Sequence, residues 1–166
     1  MLEIIEDAGE ELKRAEHLIY VSLKYTRTGD VLLNSLNRMI DAYSLLVDAL
    51  ILYAKDTKNL QEDPQTPLAK VNIVKKLYGQ QEIQDNLDLY LLLRKITRSP
   101  YQTEQEYRRN VALLTTIEGR EETINIDILT QYFEFQREFF KFVVTMLGEY
   151  AKKKYKDEMD AGWEKV

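Results

Sequence analysis

The sequence of 166 residues contains no cysteine, a single histidine, three prolines and six glycines. The absence of cysteine excludes disulfides, thiolate nucleophiles and thiolate metal sites. With only His17 present, any mechanism that needs two imidazoles within one subunit is excluded. The composition, 45% apolar and 31% charged, is that of a folded chain rather than a disordered or low-complexity one. The length suits one domain, residues 1–166.

Long apolar runs are also missing. The best apolar run, residues 45–54, is interrupted by Asp48 and is far shorter than a membrane span of about 18 residues. The acidic N-terminus lacks a basic segment followed by an apolar one, so we expect no secretion signal. A cytoplasmic protein without membrane contact is predicted. The net charge of −5 argues against a surface coated by nucleic acid, but it is compatible with a local basic site.

The sequence has few signs of catalysis. It contains no glycine-rich phosphate loop and no nucleophile elbow. His17 is not preceded by Glu at the spacing of a di-iron site, so it is interpreted as a surface or boundary histidine. The pairs Glu3/Glu6 and Glu82/Asp85 have the spacing of magnesium-binding helices in all-helical phosphohydrolases, but a solvated helix face explains them better. We therefore predict no catalytic residue, no metal and no cofactor.

Apolar residues recur at three- and four-residue spacing over most of the chain, which is typical of amphipathic helices. The predicted helices cover residues 2–25, 31–57, 67–78, 82–98 and 128–155. Gly29 is expected to end the first helix, and Asp30 is expected to cap the second. Thr66 followed by Pro67 predicts the start of the third helix, and Asp127 is expected to cap the last one.

The period changes between residues 102 and 127. Two β-branched runs, 111–117 and 123–126, flank a turn that contains Gly119, which indicates a β-hairpin. A helix over 103–114 is the alternative for part of this segment. The predicted fold class is mainly α, an antiparallel helical bundle of about five helices with one small β-hairpin before the last long helix. A Phe-rich C-terminal helix covers 128–156, and a tail follows at 157–166.

The second and last helices carry unusually wide apolar surfaces. At about 100° per residue, each apolar arc spans roughly 200°, against about 100° for an ordinary surface helix. All five phenylalanines lie within residues 133–142 of the last helix. Such arcs predict either a homodimer interface along one helix or two central helices of a monomer, and the sequence leaves both interpretations open.

One segment is basic and aromatic within an acidic protein. Residues 94–109 contain five basic and two acidic side chains, a local charge of +3. Basic residues interleaved with aromatic ones are typical of single-stranded nucleic-acid contacts. The alternative is a solvated helix end, where cations are favoured in any case. The candidate nucleic-acid or phosphate-binding residues are Arg94, Arg98, Tyr101, Tyr107, Arg108 and Arg109.

Two long helices, a short third one and a Leu-rich fourth helix that reads LYLLLRKITRSPY together resemble the HEPN family, over about residues 10 to 101. Members of that family pair as dimers, accompany nucleotidyltransferases or act as ribonucleases. The ribonucleases use an Arg and a His separated by four to six intervening residues. Counted from Arg94 these positions hold Ser99, Pro100 and Tyr101, so only the Arg carries over and ribonuclease activity is not expected.

The sequence therefore predicts a non-enzymatic interaction or scaffold module of HEPN type over residues 1–101, followed by the connector and hairpin at 102–127. By resemblance, its expected partners are a second copy of the chain and a nucleotidyltransferase-like protein. The alternative function is RNA or nucleotide binding through the basic segment from Arg94 to Arg109.

Overall fold

The computed structural model describes residues 2–154, and the side chains of residues 2–150. The predicted end of the last helix at 155–156 and the tail at 157–166 lie outside the described residues. The elements are α1 (Leu2–His17), a π-helix (Leu18–Ser22), α2 (Leu23–Tyr25), α3 (Gly29–Thr57), α4 (Pro67–Leu77), α5 (Gln81–Arg98), β1 (Tyr101–Glu104), β2 (Ala112–Ile117), β3 (Arg120–Asn125) and α6 (Ile126–Lys154). The chain is mostly helical, with five helices of eleven residues or more and a small antiparallel sheet.

A π-helical turn interrupts the first predicted helix. Ala15, Ile19 and Leu23 are all buried, although they follow one another at intervals of four residues. In a regular α-helix, eight residues rotate about 80° beyond two full turns, which would move Leu23 off the buried face. The π-helix (Leu18–Ser22) adds one residue to that turn and returns Leu23 to the core. The prediction of one continuous helix over 2–25 is therefore wrong at this turn.

Two predicted caps are also wrong. The Thr28 hydroxyl accepts a hydrogen bond from the Val31 N–H at 3.3 Å, so Thr28 caps α3 and Asp30 does not. Gly29 is the first residue of α3 rather than the end of the preceding helix. A Cβ built on Gly29 would lie 2.6 Å from the Thr103 Oγ1, so glycine lets α3 begin directly against the sheet.

The core is organised around α3, which contacts α1, α4, α5 and α6. Tyr43 is fully buried in it, and its hydroxyl donates to the Asn86 Oδ1 at 2.6 Å. From α6, the side chains of Phe133, Phe139 and Phe140 are buried in the same cluster. Much of both apolar arcs is thus covered within one chain, although Leu52 on α3 and Phe135 on α6 are 39% and 44% exposed. The monomer and the homodimer interpretations both stay predictions.

The sheet has three strands in the order β1–β2–β3. The β2–β3 hairpin confirms the predicted hairpin, while β1 was not predicted and the alternative helix over 103–114 is wrong. One face of the sheet carries Leu113 and Ile124 into the core. At the end of β3 the Asn125 Oδ1 accepts from the Ile128 N–H at 2.8 Å, so Asn125 caps α6 in place of the predicted Asp127.

In the described part of the chain, no helix is both long and apolar enough to cross a membrane. Within the same residues, no group of three or more His, Asp or Glu side chains is placed to hold a metal ion. His17, Glu3, Glu6, Glu82 and Asp85 are all exposed, in agreement with their interpretation as solvated helix faces.

Candidate ligand-binding cleft

The outer face of the sheet, opposite the core, forms the floor of the candidate site. Strand register places its side chains in three cross-strand rows. The first row is Glu104–Ala112–Asn125, the second is Gln102–Leu114–Thr123, and the third is Thr116–Glu121. Successive rows are two residues apart along a strand, about 6.6 Å.

The cleft lies over the first two rows and has a volume of about 890 Å³. This volume is within the range of about 300–1,000 Å³ that is usual for small-ligand sites. Ile19 and Tyr20 of the π-helix form one wall together with Leu23, and Ile126 and Thr130 at the start of α6 form another. The β1–β2 loop (residues 105–111) closes one end. Because a π-turn is uncommon and often lies at functional sites, its position in the wall singles this cleft out.

Three cations line the cleft, contributed by two separate segments. Lys24 and Arg27 follow the π-helix, and Arg109 lies on the β1–β2 loop. None of the three makes an ion pair within the described residues, and Arg27 Nε donates only to the Leu23 carbonyl at 3.2 Å. The lining also holds the carboxylates of Glu104 and Asp127, so its net charge is +1. Unpaired cations that converge on a cleft favour an anionic ligand.

Two tyrosines lie on the same two segments as these cations, close to the lining residues along the chain, and are called the aromatic rim: Tyr25 and Tyr107. They are 84% and 77% exposed, the highest values among the large apolar and aromatic side chains described. The Tyr107 N–H donates to the Arg27 carbonyl at 2.6 Å, which ties the β1–β2 loop to the segment after α2. Within that loop Gln105 and Tyr107 both have positive φ angles, 56° and 65°. Each such residue costs about 1 kcal/mol or more, and this kind of strain clusters at binding sites.

A second, shallower groove of about 580 Å³ continues across the sheet. It shares Leu114 and Thr123 with the cleft, so the two depressions meet at the second cross-strand row. Its ionisable lining residues are Tyr101, Glu121 and Glu122. We call it the acidic groove, since no lysine or arginine lines it.

The π-helix wall is held to α6 by a polar network. The Tyr20 hydroxyl donates to a Glu134 carboxylate oxygen, and Arg137 pairs with both Glu134 and Glu16. Burial, followed by the hydrogen bond to the Glu134 carboxylate, raises the pKa of Tyr20 to about 12. The hydroxyl therefore stays protonated at neutral pH and keeps the wall in place as a hydrogen-bond donor.

The structure distributes the basic segment predicted from the sequence over several places. Arg94 is half-buried on α5, with its guanidinium 5.8 Å from the centre of the Tyr90 ring. Arg98 is exposed at the end of α5, and Tyr101 lies in the acidic groove. Arg108 is exposed on the β1–β2 loop.

Of the predicted residues, the structure brings Arg109 to the cleft and Tyr107 to its rim. Sequence reasoning missed their partners Lys24, Tyr25 and Arg27. The signal was present as a short basic and aromatic alternation, KYTR, but Lys24 and Tyr25 were assigned to the first helix and Arg27 to the link that follows it.

Comparisons with family models, with curated proteins and with solved structures found no match to this chain. The HEPN resemblance therefore stays a prediction, and the functional argument rests on the geometry of the cleft.

Proposed function

We propose that the protein binds single-stranded RNA at the aromatic rim and the basic side of the cleft. The observation that supports this proposal is that Tyr25 and Tyr107, both largely exposed, share two segments with three cations that line the cleft and have no ion pair in the described residues. Single-stranded nucleic acids are held by aromatic side chains that stack on bases and by basic side chains that contact phosphates. Aromatic and basic side chains occur together on two segments here, the one that follows the π-helix and the β1–β2 loop. The hydrogen bond from the Tyr107 N–H to the Arg27 carbonyl joins these segments.

The acidic net charge of the protein restricts this binding to one place. At −5 overall, the remaining surface repels a polyanion, while the cleft cations attract its phosphates. Three phosphate contacts to single-stranded RNA predict that log K falls with log salt with a slope of about −2. The expected complex is therefore specific for the cleft and sensitive to salt.

The test is fluorescence anisotropy with a short labelled single-stranded RNA, repeated over a range of salt concentrations. Tyr107→Ala should weaken binding about 5- to 150-fold, the range that follows from about 1–3 kcal/mol per stacked base. Arg109→Ala should weaken binding and reduce the salt slope by about 0.7.

The matched controls are Phe135→Ala and Lys76→Ala, which change an exposed aromatic residue on α6 and an exposed cation on α4, neither of which lines the cleft. Both controls should bind like the unmodified protein. RNA binding that is unchanged in Tyr107→Ala and Arg109→Ala, or that is weakened equally in the controls, would refute the proposal.

The interaction module with a homodimeric state is tested separately, by native mass spectrometry at several protein concentrations. Its support is the wide apolar arcs of α3 and α6 together with the resemblance to the HEPN family. Because much of both arcs is buried within one chain, we base the proposed function on the cleft instead.

A further inference from the structure

The linings of the cleft and of the acidic groove differ in net charge. The cleft, whose floor includes the first cross-strand row Glu104–Ala112–Asn125, is lined by three cations against the carboxylates of Glu104 and Asp127, a net charge of +1. The third row contains Glu121, about 13 Å further along the strands. Between them the second row presents Leu114, which is half-buried and apolar. The net charge of the lining thus changes from +1 in the cleft to −2 in the acidic groove, with the apolar Leu114 between them.

This gradient limits how far an RNA strand can extend. Phosphates are attracted to the end that holds Lys24, Arg27 and Arg109. A strand that continued across the sheet would place its next phosphate in the acidic groove, beside Glu121 and without any lining cation. Because like charges repel, a strand that enters over the aromatic rim should end at the second row.

The acidic groove also distinguishes the two ends of a strand. A carboxylate only accepts hydrogen bonds, and the 2′- and 3′-hydroxyls of an RNA 3′ end are donors. Acidic side chains accept from ribose hydroxyls in other nucleotide sites as well. A 5′-terminal phosphate, in contrast, would bring up to two negative charges toward Glu121. The chemistry of this groove therefore fits a 3′-hydroxyl end.

The first row supplies a further polar group to such a ligand. The Asn125 Oδ1 is already used as the cap of α6, so the Nδ2 is the part of the amide left to donate. Asn125 lines the cleft next to the cations. A donor at this position suits a phosphate oxygen or a base carbonyl.

Resting on the proposed RNA binding, we propose that the cleft is a site for the 3′-terminal nucleotide of single-stranded RNA. The phosphate that joins this nucleotide to the preceding one contacts Lys24, Arg27 and Arg109. The nucleotide lies over Leu114, and its terminal diol faces Glu121. The preceding base stacks on the aromatic rim.

The test compares RNAs of one sequence that differ only in their ends: 3′-hydroxyl, 3′-phosphate, 5′-phosphate and a covalent circle. The circular RNA and the 3′-phosphate RNA should bind at least about tenfold more weakly than the 3′-hydroxyl RNA, because neither has the free diol. The 3′-phosphate also adds negative charge beside Glu121. A 5′-phosphate should change nothing. A circle that binds as tightly as the linear RNA, or a 3′-phosphate that binds equally or more tightly, would overturn the inference.

Two further arms separate this inference from the proposed function. If all four RNAs bind equally and Tyr107→Ala still weakens them, RNA binding stands and the 3′-end site is wrong. If none binds, the proposed function itself fails.

A competition experiment separates a strand end from a free nucleotide. A free ribonucleoside 5′-monophosphate, which also has a phosphate and a diol, should compete far more weakly than the 3′-hydroxyl RNA. Competition at the Kd of the 3′-hydroxyl RNA would overturn the assignment to a strand end.

Glu121→Gln provides the residue-level test. This isosteric change should reduce the preference for the 3′-hydroxyl over the 3′-phosphate form and leave binding of the circle unchanged. Glu62→Gln, in the exposed loop before α4, removes the same charge elsewhere and should keep the full preference. Far-UV circular dichroism of both variants checks that the fold is retained. An unchanged preference in Glu121→Gln would contradict the role of the acidic groove.

Discussion

Tyr78, the residue that follows α4, should make the free energy of unfolding fall at alkaline pH. As a result, Tyr78→Phe should destabilise the protein at neutral pH and stabilise it at high pH. Tyr78 is 2% exposed, and its hydroxyl donates to the Leu50 carbonyl at 2.6 Å. Burial, with a smaller contribution from nearby Tyr53, raises its pKa above the ordinary value of 10.0. Above about pH 10 the unfolded chain loses this proton and the folded chain keeps it. The unfolded state then binds fewer protons, so the free energy of unfolding falls as pH rises.

The magnitude follows from linkage. One such group removes about 1.4 kcal/mol of stability for each pH unit between its unfolded and folded pKa values. Tyr78→Phe removes this loss, but it also removes a hydrogen bond worth about 0.5–1.5 kcal/mol. The variant should therefore be less stable than the unmodified protein at neutral pH and more stable at high pH, with the crossing between about pH 10 and 11. Lys58 lies 5.3 Å from the ring centre, and a phenylalanine ring retains that contact.

The assay is urea unfolding followed by far-UV circular dichroism, from about pH 8 to about pH 11.5. The control is Tyr25→Phe, because that side chain is 84% exposed. The control should follow the unmodified protein at every pH. A difference between Tyr78→Phe and the unmodified protein that stays constant with pH would refute the reasoning.

Three further predictions concern packing and the π-turn. Gly29→Ala should lower stability by about 1 kcal/mol, since overpacking against the sheet outweighs the gain in helix propensity, whereas Gly79→Ala has open space and should be neutral or slightly stabilising in urea unfolding. The π-helix holds one residue more than a regular turn, so deleting Val21, which is 42% exposed, should convert it to regular α-helix and keep Leu23 and Lys24 on their present faces; the urea midpoint and RNA binding should be retained, and a large loss of either would contradict this account of the π-turn. Gln136 is fully buried and its Oε1 has no partner in the described residues, so Gln136→Met should keep or raise the urea midpoint despite the lost hydrogen bond from its Nε2 to a carbonyl of α3.

The helices could be predicted because their apolar periodicity is strong. The expected ranges 31–57 and 82–98 differ from α3 and α5 by two residues or fewer at each end. The hairpin was also recoverable, since Gly119 with φ of 80° sits in its turn. The antiparallel bundle itself stays a prediction, because periodicity indicates which face is buried and not which helix covers it.

β1 and the N-cap of α3 could not be predicted from the local sequence. The four residues of β1, YQTE, have little strand propensity, and they pair only because β2 lies beside them. The cap at Thr28 competes with Asp30, which has an equally good capping side chain. What decides between them is the close approach of Gly29 to the sheet, a tertiary contact.

The candidate site depends on three departures from regular backbone geometry. This explains why only some of its residues were predicted from the sequence. The π-turn carries Lys24 and Arg27 to the cleft, and the left-handed residues Gln105 and Tyr107 turn the β1–β2 loop back toward them. Each departure is unfavourable by itself; the π-turn is held by the Tyr20 hydrogen bond to α6, and the loop is held at Tyr107 by its hydrogen bond to the Arg27 carbonyl. Local rules fail most often where a chain has kept strained geometry for a binding role. The coincidence of the strained segments, the unpaired cations and the exposed tyrosines at one cleft is therefore the strongest reason to test that cleft first.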